Sequence, residues 1–333
     1  MTKLFLHIGT HKTGTTAIQT FASNHREALL KRGILYPDYR PFSNKIIGSH
    51  HAFARSVKGV DKKLSQLQGR QLTEHWLREA RQHNANILLS AESISIHKTG
   101  LGTLLEQRER YLNDLHEWLR DFDTTIILVL RRPDDYIRSF YQERVRKIFG
   151  SEIPTFGAFV HSMCRPGTML HYNESVVMLK KIFKDVKCVR FDDLVKTQDI
   201  GHSFFNLIGI DTTDLPAAGI VRPSLSILET QTKIFASRYI ESAKKNEEFI
   251  GWMKSPEISD TIRQSFCGDK YDLWQDHDSR IIFYRSRMKD LDELGRTIGY
   301  GDVNIFHEPD STYDQVPAIP PSLSQLIMDY FNL

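Results

Sequence analysis

The first predicted strand and the loop after it read Leu4-Phe5-Leu6-His7-Ile8-Gly9-Thr10-His11-Lys12-Thr13-Gly14-Thr15-Thr16. An apolar strand, a turn with a glycine at each end and a helix that opens on hydroxyl residues together form a cradle for an anion. Backbone N–H groups of such a turn point at the anion, and the helix N-terminus adds partial positive charge. The stretch therefore predicts phosphate binding.

The loop differs from a Walker A loop in the place of its lysine. Gly9 and Gly14 have the Walker A spacing and Thr16 matches its final hydroxyl residue, but Thr15 stands where the lysine belongs. The cation, Lys12, comes two residues before the second glycine instead. A kinase needs its lysine on the β- and γ-phosphates and a hydroxyl on Mg²⁺. The alternative without a ligand is a helix cap by Thr15 or Thr16, which requires neither the glycines nor the lysine.

Composition excludes several classes of protein. The chain has 333 residues, 40% of them hydrophobic and 26% charged, which is typical of a soluble globular protein. A net charge of +3 suits a small anionic ligand and is too weak to indicate nucleic-acid binding. No signal peptide or membrane span is visible, so a cytoplasmic protein is expected. The cysteines, which are odd in number and far apart, predict a reducing compartment and no disulfide framework: Cys164, Cys188 and Cys267.

Apolar runs that alternate with amphipathic stretches predict an α/β fold. The strongest run, Ile126–Leu130, is uninterrupted, as expected of a parallel strand buried on both faces. We predict a three-layer parallel sheet flanked by helices over residues 1–215, and a helical C-terminal region over 216–333 packed on the same domain. The first helix is expected to run from Thr15 to about Lys31, and the segment Asp38–Gln68 to be irregular. Later helices are expected from Pro133 to about Lys147, over Arg280–Ile298 and over Pro321–Phe331. The other predicted strands are Leu4–Ile8, Ile34–Pro37, Asn86–Ser90 and Lys187–Phe191.

A second cationic segment follows the strongest strand. Arg131 lies at the carboxyl end of that strand, where open parallel sheets bind ligands. Ser139 lies about two turns into the helix that begins at Pro133. A guanidinium and a hydroxyl can hold a phosphate monoester. The alternative is a strand-end arginine and a surface serine without a ligand.

The two segments together resemble the two signatures of sulfotransferases that use PAPS (3′-phosphoadenosine 5′-phosphosulfate). The loop HKTGTT is similar to that family's 5′-phosphosulfate loop, and the R-x-P-x(5)-S-x-Y segment at 131–141 to its 3′-phosphate element. Residues 190–194, Arg-Phe-Asp-Asp-Leu, resemble a segment that follows a late strand there. The resemblance covers about residues 4–210 and implies a P-loop NTPase-like sulfotransferase fold. The family's C-terminal Arg-Lys-Gly loop has no convincing match.

The resemblance also implies a set of binding residues. The 5′-phosphosulfate would be held by the loop, in which His11 shapes the turn or touches the ligand, and the 3′-phosphate by Arg131 and Ser139. Lys12 would neutralise charge on the leaving phosphate oxygen without Mg²⁺, and PAP (adenosine 3′,5′-bisphosphate) would be released. No His/Cys/Asp cluster has metal-ligand spacing, so no metal is expected. The predicted loop ligands are His11, Lys12, Thr13, Gly14, Thr15 and Thr16.

Transfer to a hydroxyl also requires a base that removes the acceptor proton. Glu92, just after the strand Asn86–Ser90, is the first choice, because a catalytic histidine or glutamate occupies a comparable place in the family; alternatively it is an acidic cap. His51, with His50, is the second choice, since an imidazole titrates in the right range; alternatively both are solvated loop residues. His7 lies inside the first strand and is expected to be packed.

The predicted function is therefore transfer of a sulfuryl group from PAPS to an acceptor hydroxyl. The form of the loop looks most like bacterial sulfotransferases, many of which modify glycans, and this implies a carbohydrate acceptor. Aromatic residues near the histidines could stack on a sugar or a phenol. The alternatives are a P-loop small-molecule kinase and a non-catalytic nucleotide-binding module. The aromatic residues concerned are Tyr36, Tyr39, Phe42 and Phe53.

Overall fold

The computed structural model describes residues 1–10, 12–42, 48–165, 168, 170–196, 199–219, 224–266, 270–301, 305–309 and 313–332. Strands and helices alternate through its first two thirds, and helices predominate after that. In chain order the elements are β1 Lys3–His7, α1 Thr15–Asn24, α2 Arg26–Lys31, β2 Ile34–Leu35, α3 His51–Val57, α4 Gln66–Gln82, β3 Asn86–Ser90, α5 Leu104–Trp118, β4 Asp123–Leu130, α6 Pro133–Lys147, α7 Phe156–Met163, α8 Tyr172–Ile182, β5 Asp185–Arg190, α9 Phe191–Val195, α10 Ile200–Leu207, α11 Ile227–Ala236, α12 Ala243–Met253, α13 Pro256–Ser265, β6 Tyr271–Asp272, α14 His277–Arg285, α15 Met288–Ile298, β7 Asp314–Gln315 and α16 Pro321–Phe331.

The chain divides into two compact units. The first comprises Met1–Arg131, Pro166–Arg222 and Lys289–Ile305, and the second Arg132–Arg165, Pro223–Met288 and Phe306–Leu333. The division between residues 215 and 216 that the sequence suggests stays a prediction. Among the helices of the described residues, none combines the length and the apolar character that crossing a bilayer requires.

A parallel sheet of order β2-β3-β1-β4-β5 forms the centre of the first unit. The predicted α/β fold with a parallel sheet flanked by helices is confirmed, and β2 is the edge strand that the proline after it indicated. β1 lies between β3 and β4, with His7 paired to Ser90 on one side and to Ile127 on the other. Because the strands are parallel, the segments after β1, β3 and β4 leave the same edge of the sheet.

The central strands of the sheet are buried on both faces. On one face Phe5 and Ile127 pack with Phe21 of α1 and with Phe204 of α10. Side chains alternate across a strand, so the next residue along β1, Leu6, points to the opposite face, where it is also fully buried. Continuous apolar strands such as β4 are therefore required here, since neither face meets water.

The second unit is largely helical and is held by a buried ion-pair network. Arg280 of α14 is 3% exposed, and its guanidinium contacts Asp134 at 2.6 Å and Asp135 at 2.9 Å, both in the first turn of α6. Arg280 Nη1 also lies 3.6 Å from Asp272 of β6. Buried charges require such pairing. The apolar core of this unit includes Ala236, Phe249, Met253 and Ile327.

Three helix predictions are wrong in detail. The first helix is interrupted at His25, which has φ −113° and separates α1 from α2. The predicted irregular segment 38–68 contains α3, whose buried Phe53 and Val57 recur at helical spacing; a seven-residue helix without a side-chain cap gives little signal. The helix expected over Arg280–Ile298 is two helices, α14 and α15.

Candidate functional site

The turn after β1 contains two residues with a left-handed backbone. Lys12 and Gly14 both adopt left-handed conformations, with φ values of 69° and 74°. Thr13 is fully buried, and its Oγ1 donates a hydrogen bond to the Thr10 carbonyl at 2.5 Å, which closes the turn. His11, predicted to be a binding residue, lies outside the described residues.

Both glycines of the loop are required by space as well as by conformation. A Cβ on Gly9 would lie 2.8 Å from Thr13 Oγ1 and 3.0 Å from His7 Nε2. A Cβ on Gly14 would lie 2.9 Å from Ile200 Cδ1 and within 3.3 Å of the Phe191 ring. The loop therefore packs tightly against β1 and against the segment that follows β5.

The N-terminus of α1 is one of several described helix starts without a side-chain cap. Gly14 is the N-cap residue and supplies no side-chain cap, whereas α4 and α5 begin with capping boxes. Thr15 is only 4% exposed, and its Oγ1 has no hydrogen-bond partner within the described part of the chain. Thr16 is exposed. The capping alternative for Thr15 is therefore absent, and a buried donor remains beside the first N–H groups of the helix.

Arg131, at the end of β4, lies against the same loop. Its Nη1 donates a hydrogen bond to the Lys12 carbonyl at 3.0 Å, and its guanidinium lies 5.1 Å from the centroid of the Phe191 ring. The Arg131 carbonyl accepts a hydrogen bond from the Tyr172 hydroxyl at 2.8 Å. Phe191 thus stacks on Arg131 and packs on Gly14, which is a physical role for the aromatic residue of the 190–194 segment.

The remaining predicted residues of segments 131–141 and 190–194 belong to the second and the first unit, respectively. Ser139 lies on α6 of the second unit and is 5% exposed. Its assignment to a 3′-phosphate stays a prediction. In the first unit, Arg190 forms an ion pair with Asp193 at 2.7 Å, and Leu194 is buried, so these residues fix the turn after β5.

The two candidate bases are neighbours. Glu92 begins a short 3-10 helix, Glu92–Ser95, directly after β3, and His51 begins α3. His51 Nε2 lies 3.2 Å from Glu92 Oε2, and His51 Nδ1 lies 2.8 Å from Ser93 Oγ. Both side chains are partly buried, with 24% of His51 and 18% of Glu92 exposed. The sequence offered Glu92 and His51 as separate choices, and the structure brings them together as a pair.

The other two histidines near this pair are buried. His50 is fully buried between the Pro37 carbonyl and the Ser90 N–H, and burial lowers its pKa to about 3. His7 is hydrogen-bonded through Nδ1 to Ser90 Oγ at 2.9 Å, and burial lowers its pKa to about 4, against the opposing charge of Glu92. The packed role expected for His7 is confirmed, while His50 is not a solvated loop residue.

Three of the aromatic residues near the histidines are unavailable for stacking on an acceptor. Tyr36, Tyr39 and Phe53 are at most 2% exposed and belong to the core of the first unit. The Tyr36 hydroxyl donates to the Gly48 carbonyl at 2.7 Å, and that of Tyr39 accepts from the Phe53 N–H at 3.1 Å. Phe42 is partly exposed. The sequence could not distinguish core aromatics from binding aromatics in a segment whose helix it had missed.

Metal ligands and thiols are the other groups of interest in the sequence. Within the described ranges no group of three His, Cys, Asp or Glu side chains is placed to hold a metal ion. Cys164 and Cys188 are free thiols, and burial raises the pKa of Cys188 to about 12, which makes it unreactive. Cys267 lies outside the described residues.

Gln19 is a residue of the site that sequence reasoning missed. It lies on α1 four residues after Thr15, is 7% exposed and contacts Glu92. A buried glutamine one turn into the helix after the glycine-threonine loop is the signal that could have identified it, because that position faces the neighbouring strand.

Comparisons with known proteins add a structural likeness. No protein-family model matches the sequence, and no curated protein shows significant similarity to it. Among solved structures, the chain is similar to the crystal structure of mouse sulfotransferase SULT7A1 complexed with PAP. The identity is 14%, the match covers 90% of this chain and 88% of that one, and the TM-score is 0.34. At this score the likeness carries no weight for activity, so the function has to be argued from the residues.

Proposed function

We propose that the protein transfers a sulfuryl group from PAPS to a hydroxyl of an acceptor, and that the acceptor is a carbohydrate or glycan. The observation that carries the proposal is the hydrogen bond from Arg131 to the Lys12 carbonyl at 3.0 Å. It joins two segments that were identified independently as anion-binding elements, at the carboxyl ends of the neighbouring strands β1 and β4. An arginine and a lysine on two segments that meet suit a polyanion.

The loop fits the 5′ end of such a donor. Gly9 and Gly14 leave no room for a Cβ, so the backbone can approach an anion closely, and the N-terminus of α1 has no side-chain cap in the described structure. Thr15 adds a buried hydroxyl with no partner among the described residues. An anion at this place would satisfy groups that otherwise cost about 1–3 kcal/mol each when buried without a hydrogen bond.

The displaced lysine suits sulfuryl transfer better than phosphoryl transfer. PAPS supplies a sulfuryl group activated by its bond to a phosphate oxygen. Lys12 precedes the second glycine, and its charge would stabilise the negative charge that develops on that oxygen. Thr15 stands where a kinase would need a lysine, which weakens the alternative of an ATP-dependent kinase. Arg131 is assigned to the 3′-phosphate.

Glu92 is assigned as the base. Both ring nitrogens of His51 are engaged, Nε2 with Glu92 and Nδ1 with Ser93, which favours the carboxylate as the group that takes the acceptor proton. The acceptor oxygen forms the new bond to sulfur, the bond from sulfur to the phosphate oxygen breaks, and the acceptor proton passes to Glu92. His51 then orients the Glu92 carboxylate through the contact between its Nε2 and Glu92 Oε2. The carbohydrate nature of the acceptor is supported by the form of the loop alone.

Binding of PAP, the nucleotide left after sulfuryl transfer, distinguishes this function from its alternatives. We expect PAP to raise the melting temperature without magnesium, and Arg131→Ala to remove most of that shift. Arg32→Ala is the matched control, because Arg32 is another arginine of the first unit and pairs with Asp214 at 2.6 Å, away from the loop. Stabilisation only by ATP with Mg²⁺ would instead favour a kinase.

Transfer itself is tested with ³⁵S-labelled PAPS and a panel of mono- and oligosaccharides, with 4-nitrophenol as the phenolic member. Labelled saccharide is the expected product. Labelled nitrophenol alone would contradict the carbohydrate assignment and leave sulfuryl transfer intact. PAP binding without transfer to any member of the panel would favour a non-catalytic nucleotide-binding module.

A further inference from the structure

Gln19 contacts the candidate base and the strand that carries it. Its Nε2 lies 3.2 Å from Glu92 Oε2, 3.2 Å from Ser90 Oγ and 3.3 Å from the Ser90 carbonyl oxygen. The side chain is 7% exposed, so water competes little for these hydrogen bonds. A glutamine buried in this way requires partners for its amide.

The chemistry of the neighbours fixes which way the amide faces. A carboxylate oxygen and a carbonyl oxygen are both acceptors, so the NH₂ group of Gln19 must face them and its carbonyl oxygen must not. The two N–H bonds of Gln19 therefore go to Ser90 and Glu92. One hydrogen bond connects α1 directly to the Glu92 carboxylate.

The same strand end connects this amide to the buried histidine of β1. Ser90 Oγ lies 3.2 Å from Gln19 Nε2 and 2.9 Å from His7 Nδ1. If Ser90 accepts from Gln19, its own proton goes to His7 Nδ1, which leaves the remaining proton of a neutral His7 on Nε2. That nitrogen lies 3.0 Å from the position of a Cβ on Gly9. The polar contacts thus run from Glu92 through Gln19 and Ser90 to His7, which lies in van der Waals range of Gly9 at the start of the loop.

We propose that Gln19 is a positioning residue that holds the Glu92 carboxylate in register with the phosphate loop, an inference that rests on the proposed sulfuryl transfer. Helix α1 begins at Thr15, and Gln19 lies four residues later, about 6 Å along the axis at 1.5 Å per residue. The end of the loop and the amide are therefore joined by a single turn of helix. In-line transfer requires the base and the donor at fixed separation, and a misplacement of about 1 Å can cost roughly 100-fold in rate.

The test is the substitution Gln19→Met, which keeps the length of the side chain and removes the amide. With ³⁵S-labelled PAPS and the best saccharide of the panel, we expect kcat to fall about 10- to 100-fold, as for loss of a hydrogen bond to a charged group. The KM for PAPS and the PAP-induced thermal shift should stay within about twofold, because Gln19 acts on the base and not on the donor. A rise in the KM for PAPS with kcat unchanged would overturn the inference.

Two further variants separate positioning from packing. Gln142→Met is the matched control: Gln142 is 8% exposed, lies in the second unit and donates to the Leu225 carbonyl at 2.8 Å, so it should keep the wild-type kcat. Gln19→Glu has the shape of the native residue but sets a carboxylate against Glu92. Its kcat should fall at least as far as that of Gln19→Met. Because it keeps the shape of glutamine, it also tests the inference if the methionine variant folds poorly. Equal activity of Gln19→Glu and wild type would overturn the inference.

A double substitution tests whether Gln19 acts through Glu92. Once Glu92→Gln has removed the base, adding Gln19→Met should lower kcat by less than about twofold, because coupled residues are not additive. Full additivity would contradict a positioning role. If the wild type transfers label and Gln19→Met has the same kcat, the inference about Gln19 is wrong and the proposed sulfuryl transfer still stands. If wild type transfers label to no acceptor, the proposed function fails, and the inference with it.

Discussion

Two glycines with the same left-handed backbone allow the loop geometry to be tested with an internal control. Gly14 has φ 74° and Gly33 has φ 79°. A Cβ on Gly14 would lie 2.9 Å from Ile200 Cδ1 and 3.1 Å from Ile200 Cγ2, whereas a Cβ on Gly33 would have nothing within 4 Å in the described structure. Alanine at either position carries the same conformational cost, and only Gly14→Ala adds a steric one.

The expected magnitudes follow from these two contributions. Alanine in the left-handed region costs about 1–2 kcal/mol, so Gly33→Ala should lower the free energy of unfolding by that amount. Overpacking against Ile200 and Phe191 adds about 1–3 kcal/mol, which gives roughly 2–5 kcal/mol for Gly14→Ala. Urea unfolding of both variants under the same conditions measures the difference.

Donor binding should separate the two variants further. Because Gly14 is the N-cap of α1, relief of the clash must move the first N–H groups of the helix. We expect the Kd for PAP, measured by titration calorimetry, to rise at least about tenfold in Gly14→Ala, or 1.4 kcal/mol, and to be unchanged in Gly33→Ala. A folded Gly14→Ala protein that binds PAP as tightly as wild type would refute the assignment of this loop to the donor.

Three other predictions concern charge. Lys12→Asn removes the cation while keeping a residue that tolerates φ 69°, and should lower kcat by about 100- to 1,000-fold with the unfolding free energy nearly unchanged; a near-normal rate would remove Lys12 from the mechanism. Glu92→Gln should lower kcat by about 100- to 10,000-fold without changing the affinity for PAP; if only His51→Gln does so, the base is misassigned. Burial lowers the pKa of His7 to about 4 and that of His50 to about 3, from 6.5. The unfolded chain therefore binds more protons below pH 6.5, and the unfolding free energy should fall by about 1.4 kcal/mol per pH unit for each histidine between pH 6.5 and the folded-state pKa. Urea unfolding at pH 7 and pH 5 checks this, and equal midpoints would contradict it.

The local part of the site was predictable from the sequence. Glycine spacing, the apolar run of β1 and the uninterrupted apolar run of β4 depend on interactions between residues close in the chain, and they predicted a phosphate loop, a parallel α/β sheet and an arginine at a strand end. Glu92 was found in the same way, because it directly follows β3. The boundaries of β3, α6 and α16 agree with the predictions, and the proline in the first turn of each helix explains why the start of α6 and of α16 was predictable.

Contacts between distant segments were decided by the tertiary structure. Arg131 meets Lys12 across 119 residues, and Gln19 meets Glu92 across 73, because parallel strands bring their carboxyl ends to one edge. The sequence placed His51 in an irregular segment, and it could not reveal that the fold pairs this histidine with Glu92 at 3.2 Å. Burial was also decided by the tertiary structure. The sequence does not show whether a tyrosine or a histidine lies in water or among core side chains, and only packing sets its hydrogen bonds and its pKa.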